Sequence, residues 1–274
     1  MTAPKSALIT GSTDGLGRAV ARALAAAGFL VLIHGRDAER GNELVREIRA
    51  QGGSAHFYRA DLGSLAQVRT LVDGVEREHR RLDLLINNAG IGTAGGKDHP
   101  AQRQTSADGH ELRFAVNYLA GYLLTRLLLP TLLRSAPARI VNVASVGQYP
   151  LDFDNLMLTR GYSGMRAYAQ SKLAQVMFTL DLAEELRGSG VTVNCLHPAT
   201  YMDTTMVRAA GVKPTSTVEE GATAVMRLAV SPELEGCTGE YFDGLRFSRA
   251  NAQAYDPQVR QRLAQISARL AGLE

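Results

Sequence analysis

The sequence predicts an α/β protein built on a doubly wound, seven-stranded parallel sheet, in one domain with a C-terminal helical extension. Three observations predict it. Short β-branched or apolar runs alternate with longer helical patterns along the 274 residues. The runs are continuously apolar rather than alternating in polarity, as strands covered on both faces must be. No repeat, low-complexity stretch or linker interrupts the alternation. In such sheets ligands bind outside the carboxyl ends of the strands, so functional residues are sought there.

The first strand is "SALIT" (6–10), and it runs into "TGSTDGLGRAV" (10–20). Gly11, Gly15 and Gly17 permit a tight turn and close backbone approach, and a helix over 15–27 follows. Free N–H groups and the positive dipole end at its start suit a pyrophosphate. "LVLIHG" (30–35) is the second strand. In the helix over 37–50, Asp37 serves as N-cap or turns inward. "SAHFYRADL" (54–62) precedes a helix over 64–79, and "LDLLINNAG" (82–90) is the fourth strand. The helix over 106–134 carries the most apolar stretch, "YLAGYLLTRLLLPTLL" (118–133). That stretch contains Arg126 and Pro130 and is too short to span a bilayer, so no membrane span is expected.

"ARIVNVAS" (138–145) precedes a helix over 167–187, "VTVNCLHP" (191–198) a helix over 218–230, and "GEYFD" (239–243) is the seventh strand. The extension, "DPQVRQRLAQISARLAGL" (256–273), sets Val259, Leu263, Ile266 and Leu270 at helical spacing. Asp256 suits its N-cap and Pro257 its first position. It packs back on the domain or on a second subunit.

Composition narrows the class. A formal charge of +3 from scattered basic residues gives no nucleic-acid footprint. Cys195 and Cys237 lack metal spacing and read as unpaired thiols in a reducing compartment. Met1 to Lys5 leads straight into a strand without a signal peptide, and a cytoplasmic location is expected. The histidines show no ligand spacing and no metal is expected; His197, before Pro198, reads as a structural residue at a strand end.

"YAQSKL" (168–173) places Tyr168 and Lys172 one turn apart on one helix face. With 26 Arg against 4 Lys, an indifferent cation here would be arginine, so a compact ammonium is wanted. An unperturbed phenol has a pKa of about 10, and a cation one turn away lowers it towards a useful range for a proton donor.

These features resemble the short-chain dehydrogenase/reductase family over essentially the whole chain, with the Rossmann-type fold. "TGSTDGLG" is similar to its cofactor loop, which assigns Gly11, Ser12, Thr13, Asp14, Gly15, Leu16 and Gly17 to cofactor binding. "DL", Asp61 and Leu62, matches the pair at the adenine. "NNAG" matches the motif ending the fourth strand, with Asn88, Ala89 and Gly90 beside the cofactor. Asn117, Ser145, Tyr168 and Lys172 fall where the family keeps its catalytic tetrad. The resemblance implies that Tyr168 is the acid and that Lys172 tunes it and holds the nicotinamide ribose. Ser145 then orients the carbonyl oxygen, and Asn117 bends its helix and holds a proton-relaying water.

Gly35 stands where NAD-preferring relatives of the fold carry a carboxylate, and Arg36 follows with a fork suited to a 2′-phosphate. NADP(H) is therefore the expected cofactor; a solvent-exposed arginine is the alternative. After the sixth strand, "HPATYMDTTM" (197–206) departs from the family's Pro-Gly. Pro198 and Thr204 are assigned to the cofactor, with Thr200 and Thr205 as alternatives, and 207–217 covers the substrate. The long insert between Ser145 and Tyr168 resembles the retinol-dehydrogenase branch. Its Tyr149, Leu151, Phe153, Leu156 and Met157 line an apolar pocket or pack on the domain.

The expected activity is NADPH-dependent interconversion of a carbonyl and an alcohol on an apolar small molecule. A tailoring ketoreductase of secondary metabolism and a non-catalytic cofactor sensor are the alternatives. Broad apolar surface on the helices at 106–134 and 167–187 predicts a homodimer.

Overall fold

In the computed structural model, which describes residues 4–93 and 102–274, the strands are β1 (Ser6–Ile9), β2 (Leu30–Gly35), β3 (Ser54–Arg59), β4 (Leu84–Asn87), β5 (Ala138–Val143), β6 (Val191–His197), β7 (Tyr241–Asp243) and β8 (Arg246–Ser248). They form one sheet in the order β3-β2-β1-β4-β5-β6-β7-β8. The chain winds outward from β1 to β3, then returns to lay β4 on the other side of β1. That reversal opens a crevice between the carboxyl ends of β1 and β4.

The sheet has eight strands rather than the expected seven. β8 pairs antiparallel with β7, with Asp243 opposite Arg246. Asp243-Gly244-Leu245 turns the chain because Gly244 takes φ +57, the left-handed conformation a two-residue hairpin loop needs. The parallel strands end earlier than their apolar runs, since the residues beyond them leave the sheet to build the site.

The helices are α1 (Gly15–Ala26), α2 (Ala38–Ala50), α3 (Leu65–Glu78), α4 (Leu112–Phe114), a π-helical turn (Ala115–Leu119), α5 (Ala120–Arg134), α6 (Gly164–Glu185), α7 (Thr205–Ala209), α8 (Val218–Val230) and α9 (Pro257–Leu270). Val20, Leu24, Leu44, Ile48, Val225 and Leu228 bury α1, α2 and α8 on one face of the sheet. Residues of α3, α5, α6 and α9 fill the other. Two-sided cover is what the continuously apolar strands required.

The helix expected from 106 begins at Leu112. Before it, Thr105 bridges Glu111 around Gly109 at φ +83, and buried Glu111 caps the helix by accepting from Phe114 N at 2.7 Å. From Leu112 to Arg134 the helical run is long and apolar enough to cross a membrane. Here it lies against the sheet and α3, with Arg113, Asn117 and Thr125 all buried along it.

Asp256 caps α9 through Gln258 N and Val259 N, with Pro257 at its first position. The helix packs back on its own chain. Leu263 is buried, Ser267 Oγ meets Tyr118 Oη at 2.7 Å, and Arg260 pairs with Asp181 at 2.5 Å and Glu184 at 2.9 Å. Leu151 and Leu156 of the insert are buried, and Phe153 and Met157 pack on the same core. Both alternatives for the insert hold in part: these four pack on the core, and Phe153, Leu156 and Met157 also line a groove of about 270 Å³ with Ile266 and Leu270 of α9, while Tyr149 stays exposed.

Candidate active site

The glycine loop is fixed by contacts that leave no room for side chains. Gly11 takes φ +63, and a methyl group on it would lie 2.9 Å from Ala89 Cα; one on Gly17 would lie 2.2 Å from Gly11 O. Thr10 Oγ1 accepts from Asn88 N and Ala89 N, and Asn88 Nδ2 donates to Thr10 O and Gly11 O. These bonds stitch β1 to β4 across the crevice. Asp14 caps α1 by accepting from Gly15 N at 2.8 Å, and Leu16 is buried beneath it.

Ser12, assigned to the cofactor, is taken up inside the loop. Its N–H donates to His34 O, and its hydroxyl donates to Ile9 O and accepts from His34 N. Leu62 likewise points into the core, and Asp61 accepts from Gly63 N in its own turn. At these positions only the remaining backbone groups and the free carboxylate oxygen can face a ligand.

Sequence reasoning missed His34. Gly11 N donates to its Nδ1 at 3.1 Å, so Nε2 carries the proton and donates to Ala60 O at 3.2 Å. The buried ring ties the glycine loop to the end of β3, and burial pushes its pKa down to about 4. A lone histidine inside a strand carries no local signal of that role.

At the end of β2, a methyl group on Gly35 would stand 2.5 Å from Thr13 Cγ2, so the Thr13 side chain fills the place where a carboxylate stem would begin. Arg36 is exposed, and its carbonyl accepts from Arg59 Nε at 3.1 Å. Asp37 does not turn inward; it caps α2 through Glu39 N and Arg40 N.

The tetrad positions converge at the carboxyl ends of β4 and β5. A methyl group on Gly147 would lie 3.5 Å from Ser145 Oγ and 3.6 Å from Tyr168 Cε1. Lys172 Nζ stands 5.8 Å from the centre of the Tyr168 ring and donates to Val143 O at 2.8 Å and Gln175 Oε1 at 2.9 Å. Asn117 sits in the π turn, where Oδ1 accepts from Ile91 N at 2.6 Å and Nδ2 donates to Ile91 O and Ser171 Oγ. The wide turn is the distortion expected there, and the side chain pins the chain after β4. A methyl group on Gly90 would touch Asn117 Oδ1 at 3.4 Å and Lys172 Nζ at 3.6 Å.

The electrostatics differ from the simple tuning picture. Burial pushes the Tyr168 phenol up, against the Ser145 hydroxyl, whose hydrogen bond lowers it. Burial also pushes Lys172 down to about 7. Both charged forms lose hydration in the same dry site, so at neutral pH Lys172 is only partly available as the cation that would lower Tyr168.

Beyond β6, Pro198 is buried and His197 Nε2 meets Thr200 Oγ1 at 3.0 Å. Thr204 caps α7, and a methyl group on Gly15 would lie 3.2 Å from its Cγ2. Thr205 Oγ1 donates to Asp14 Oδ2 at 2.7 Å. Residues 204 and 205 thus lie across the glycine loop, and 215–216 fold back on 200–203.

A model of the short chain dehydrogenase family matches residues 5–214. The chain belongs to that family. It is 37% identical to retinol dehydrogenase 13 of Homo sapiens, over 98% of this chain and 85% of that protein, which places it in the retinol-dehydrogenase-like branch. A putative uncharacterized protein from Mycobacterium paratuberculosis superposes with a TM-score of 0.76 at 27% identity, covering 98% of this chain and 94% of that one. The Pseudomonas aeruginosa RhlG/NADP active-site complex gives 0.70 at 30%, covering 88% and 94%. This short-chain dehydrogenase is thus an oxidoreductase scaffold with Asn117, Ser145, Tyr168 and Lys172 gathered at the crevice.

Proposed function

We propose that the protein reduces a carbonyl on an apolar small molecule, or oxidises the corresponding alcohol, with NADP(H). The observation that carries this reading is the meeting of Ser145, Tyr168 and Lys172 beside the crevice that the glycine loop borders. The cofactor would lie along Gly11 to Gly17 and Gly90; when bound it supplies or accepts the hydride. Ser145 Oγ orients the carbonyl oxygen, Tyr168 Oη delivers the proton to it, and Lys172 holds the charge balance behind the phenol. Asn117 positions the loop through Ile91.

Preference for NADP(H) is supported by Arg36 and Arg59 side by side at the ends of β2 and β3, by Thr13 in the place of a carboxylate, and by Asp37 turned to its helix. A charge-assisted phosphate contact contributes about 1.5–3 kcal/mol, roughly a ten- to hundredfold preference. An apolar substrate is supported by Val146, Tyr149, Met165, Tyr201 and Met206, all exposed on the segments around the site. The name of the retinol dehydrogenase relative points the same way. Steady-state kinetics with both cofactors and a panel of aromatic and isoprenoid carbonyls test the reading. Higher efficiency with NADPH is expected, with Arg36→Ala impairing NADPH selectively. Equal or better efficiency with NADH defeats the cofactor assignment, and no turnover of any carbonyl or alcohol defeats the reading itself.

A homodimer and a cytoplasmic location are part of this proposal. α6 residues 171–180 are buried within the single chain, so the apolar surplus that motivated the dimer is met in cis on that helix. What remains is α5, where Leu127 and Leu129 are half-buried and Leu133 is exposed.

A further inference from the structure

We propose that His56, Glu78 and His79 form a binding site for one divalent transition-metal ion of the zinc class, at the β3 edge of the sheet. His56 lies on β3 and the consecutive pair Glu78 and His79 at the end of α3, apart in sequence and adjacent in the fold. β3 is the last strand on its side, and His56 and Tyr58, two residues apart, project from the same face of it. α3 ends at Glu78, and its cap residue His79 leaves in extended conformation with φ −131 and ψ 117. That change of direction lets two consecutive side chains both reach the strand.

The geometry is close to a ligand set. One donor atom from each residue lies within 4.8 Å of the other two, and His56 Nδ1 stands 3.6 Å from Glu78 Oε2. Around tetrahedral zinc, with ligand bonds of about 2.0–2.2 Å, ligand atoms sit roughly 3.3–3.6 Å apart. One edge of the polyhedron is therefore already at length. The others close by side-chain rotation of about 1 Å, open to groups whose side chains are 44% and 42% exposed at His56 and Glu78.

Tyr58 supplies the outer support that such sites use. Its hydroxyl donates to Glu78 Oε2 at 2.8 Å and meets His79 Nε2 at 2.8 Å, holding the carboxylate and imidazole side by side. The two histidine rings face each other edge-on with centroids 5.3 Å apart. A groove of about 420 Å³ opens beside the cluster and gives an ion and its water ligand access. The three guanidiniums lining that groove are already engaged, Arg49 by Ala55 O, Arg59 by Arg36 O and Arg77 by Glu78 Oε1 at 3.5 Å.

The test uses the whole chain with any affinity tag removed and metal stripped by chelation. Calorimetric titration with Zn²⁺ should show one saturable equivalent, and Co²⁺ should give a tetrahedral visible spectrum that Zn²⁺ abolishes. His56→Ala and His79→Ala should each weaken Zn²⁺ at least tenfold, while His110→Ala and His197→Ala leave it unchanged. No saturable equivalent in the native chain overturns the site, as does undiminished binding in both His56→Ala and His79→Ala. The readout is binding, so it stands or falls apart from the redox reading, and the variants' melting temperatures show that they are folded.

Discussion

Tyr168 and Lys172 show how one residue's environment sets both activity and stability. Tyr168→Phe keeps the ring and its packing and removes only the proton donor. Turnover should fall at least a hundredfold, the usual scale of a lost general acid, with cofactor binding nearly unchanged; near-native turnover on an accepted substrate removes Tyr168 from that role. Lys172 carries a stability cost. Its folded pKa of about 7 lies below the ordinary 10.5 of a lysine, so the folded state resists a proton that the unfolded chain accepts. The penalty is absent above the unfolded value, grows as pH falls from about 10.5, and is complete below about 7. At 1.36 kcal/mol per unit it approaches about 5 kcal/mol, offset by the two hydrogen bonds to Val143 and Gln175. Lys172→Met is expected to abolish turnover yet raise stability by roughly 2 kcal/mol at pH 6, with no gain at pH 11. Urea unfolding at the two pH values measures it, and a loss at pH 6 contradicts it.

At the scale of elements, the site is made by loops tied to one another rather than to the sheet alone. His34 is the knot between the glycine loop and the end of β3. Its folded pKa of about 4 lies below the ordinary 6.5. Stability from this residue is therefore whole above pH 6.5 and declines as pH falls towards about 4. His34→Ala should flatten that acid-side slope and leave Gly11 N and Ala60 O without their partner. Cofactor affinity should then drop by roughly tenfold, consistent with about 1–3 kcal/mol for an orphaned buried group. Titration of cofactor binding by fluorescence, with denaturation from pH 4 to 8, checks both. A slope that survives the substitution assigns the acid sensitivity elsewhere.

At the scale of the whole molecule, α9 closes the fold against itself. Leu263 is buried, and Tyr118 and Ser267 share a buried hydrogen bond across the π turn that carries Asn117. Leu263→Ala should cost about 2–5 kcal/mol, the range for a buried leucine, and thermal unfolding measures it. If self-association runs through the remaining apolar stripe of α5, light scattering should give a dimer mass for the native chain and a monomer mass for Leu133→Arg. A monomer mass for the native chain across micromolar concentrations removes the proposal.

Much of this was legible in the linear chain. The seven parallel strands, the cap at Asp256, the glycine loop and the Tyr168–Lys172 pair rest on local periodicity and short-range chemistry, which neighbouring residues carry with them. The turn at Asp243-Gly244 was equally local, and the eighth strand it makes went unread, as did the short helix α7 (Thr205–Ala209). Tertiary structure alone decided the rest. Whether Leu151 and Phe153 line a pocket or pack, whether α6 is free to meet a partner, where Ser12 and Leu62 point, that His34 holds the glycine loop, and that His56 meets Glu78 and His79 all depend on contacts between segments far apart in sequence. So does the depressed pKa of Lys172, because desolvation is a property of what surrounds a group in space.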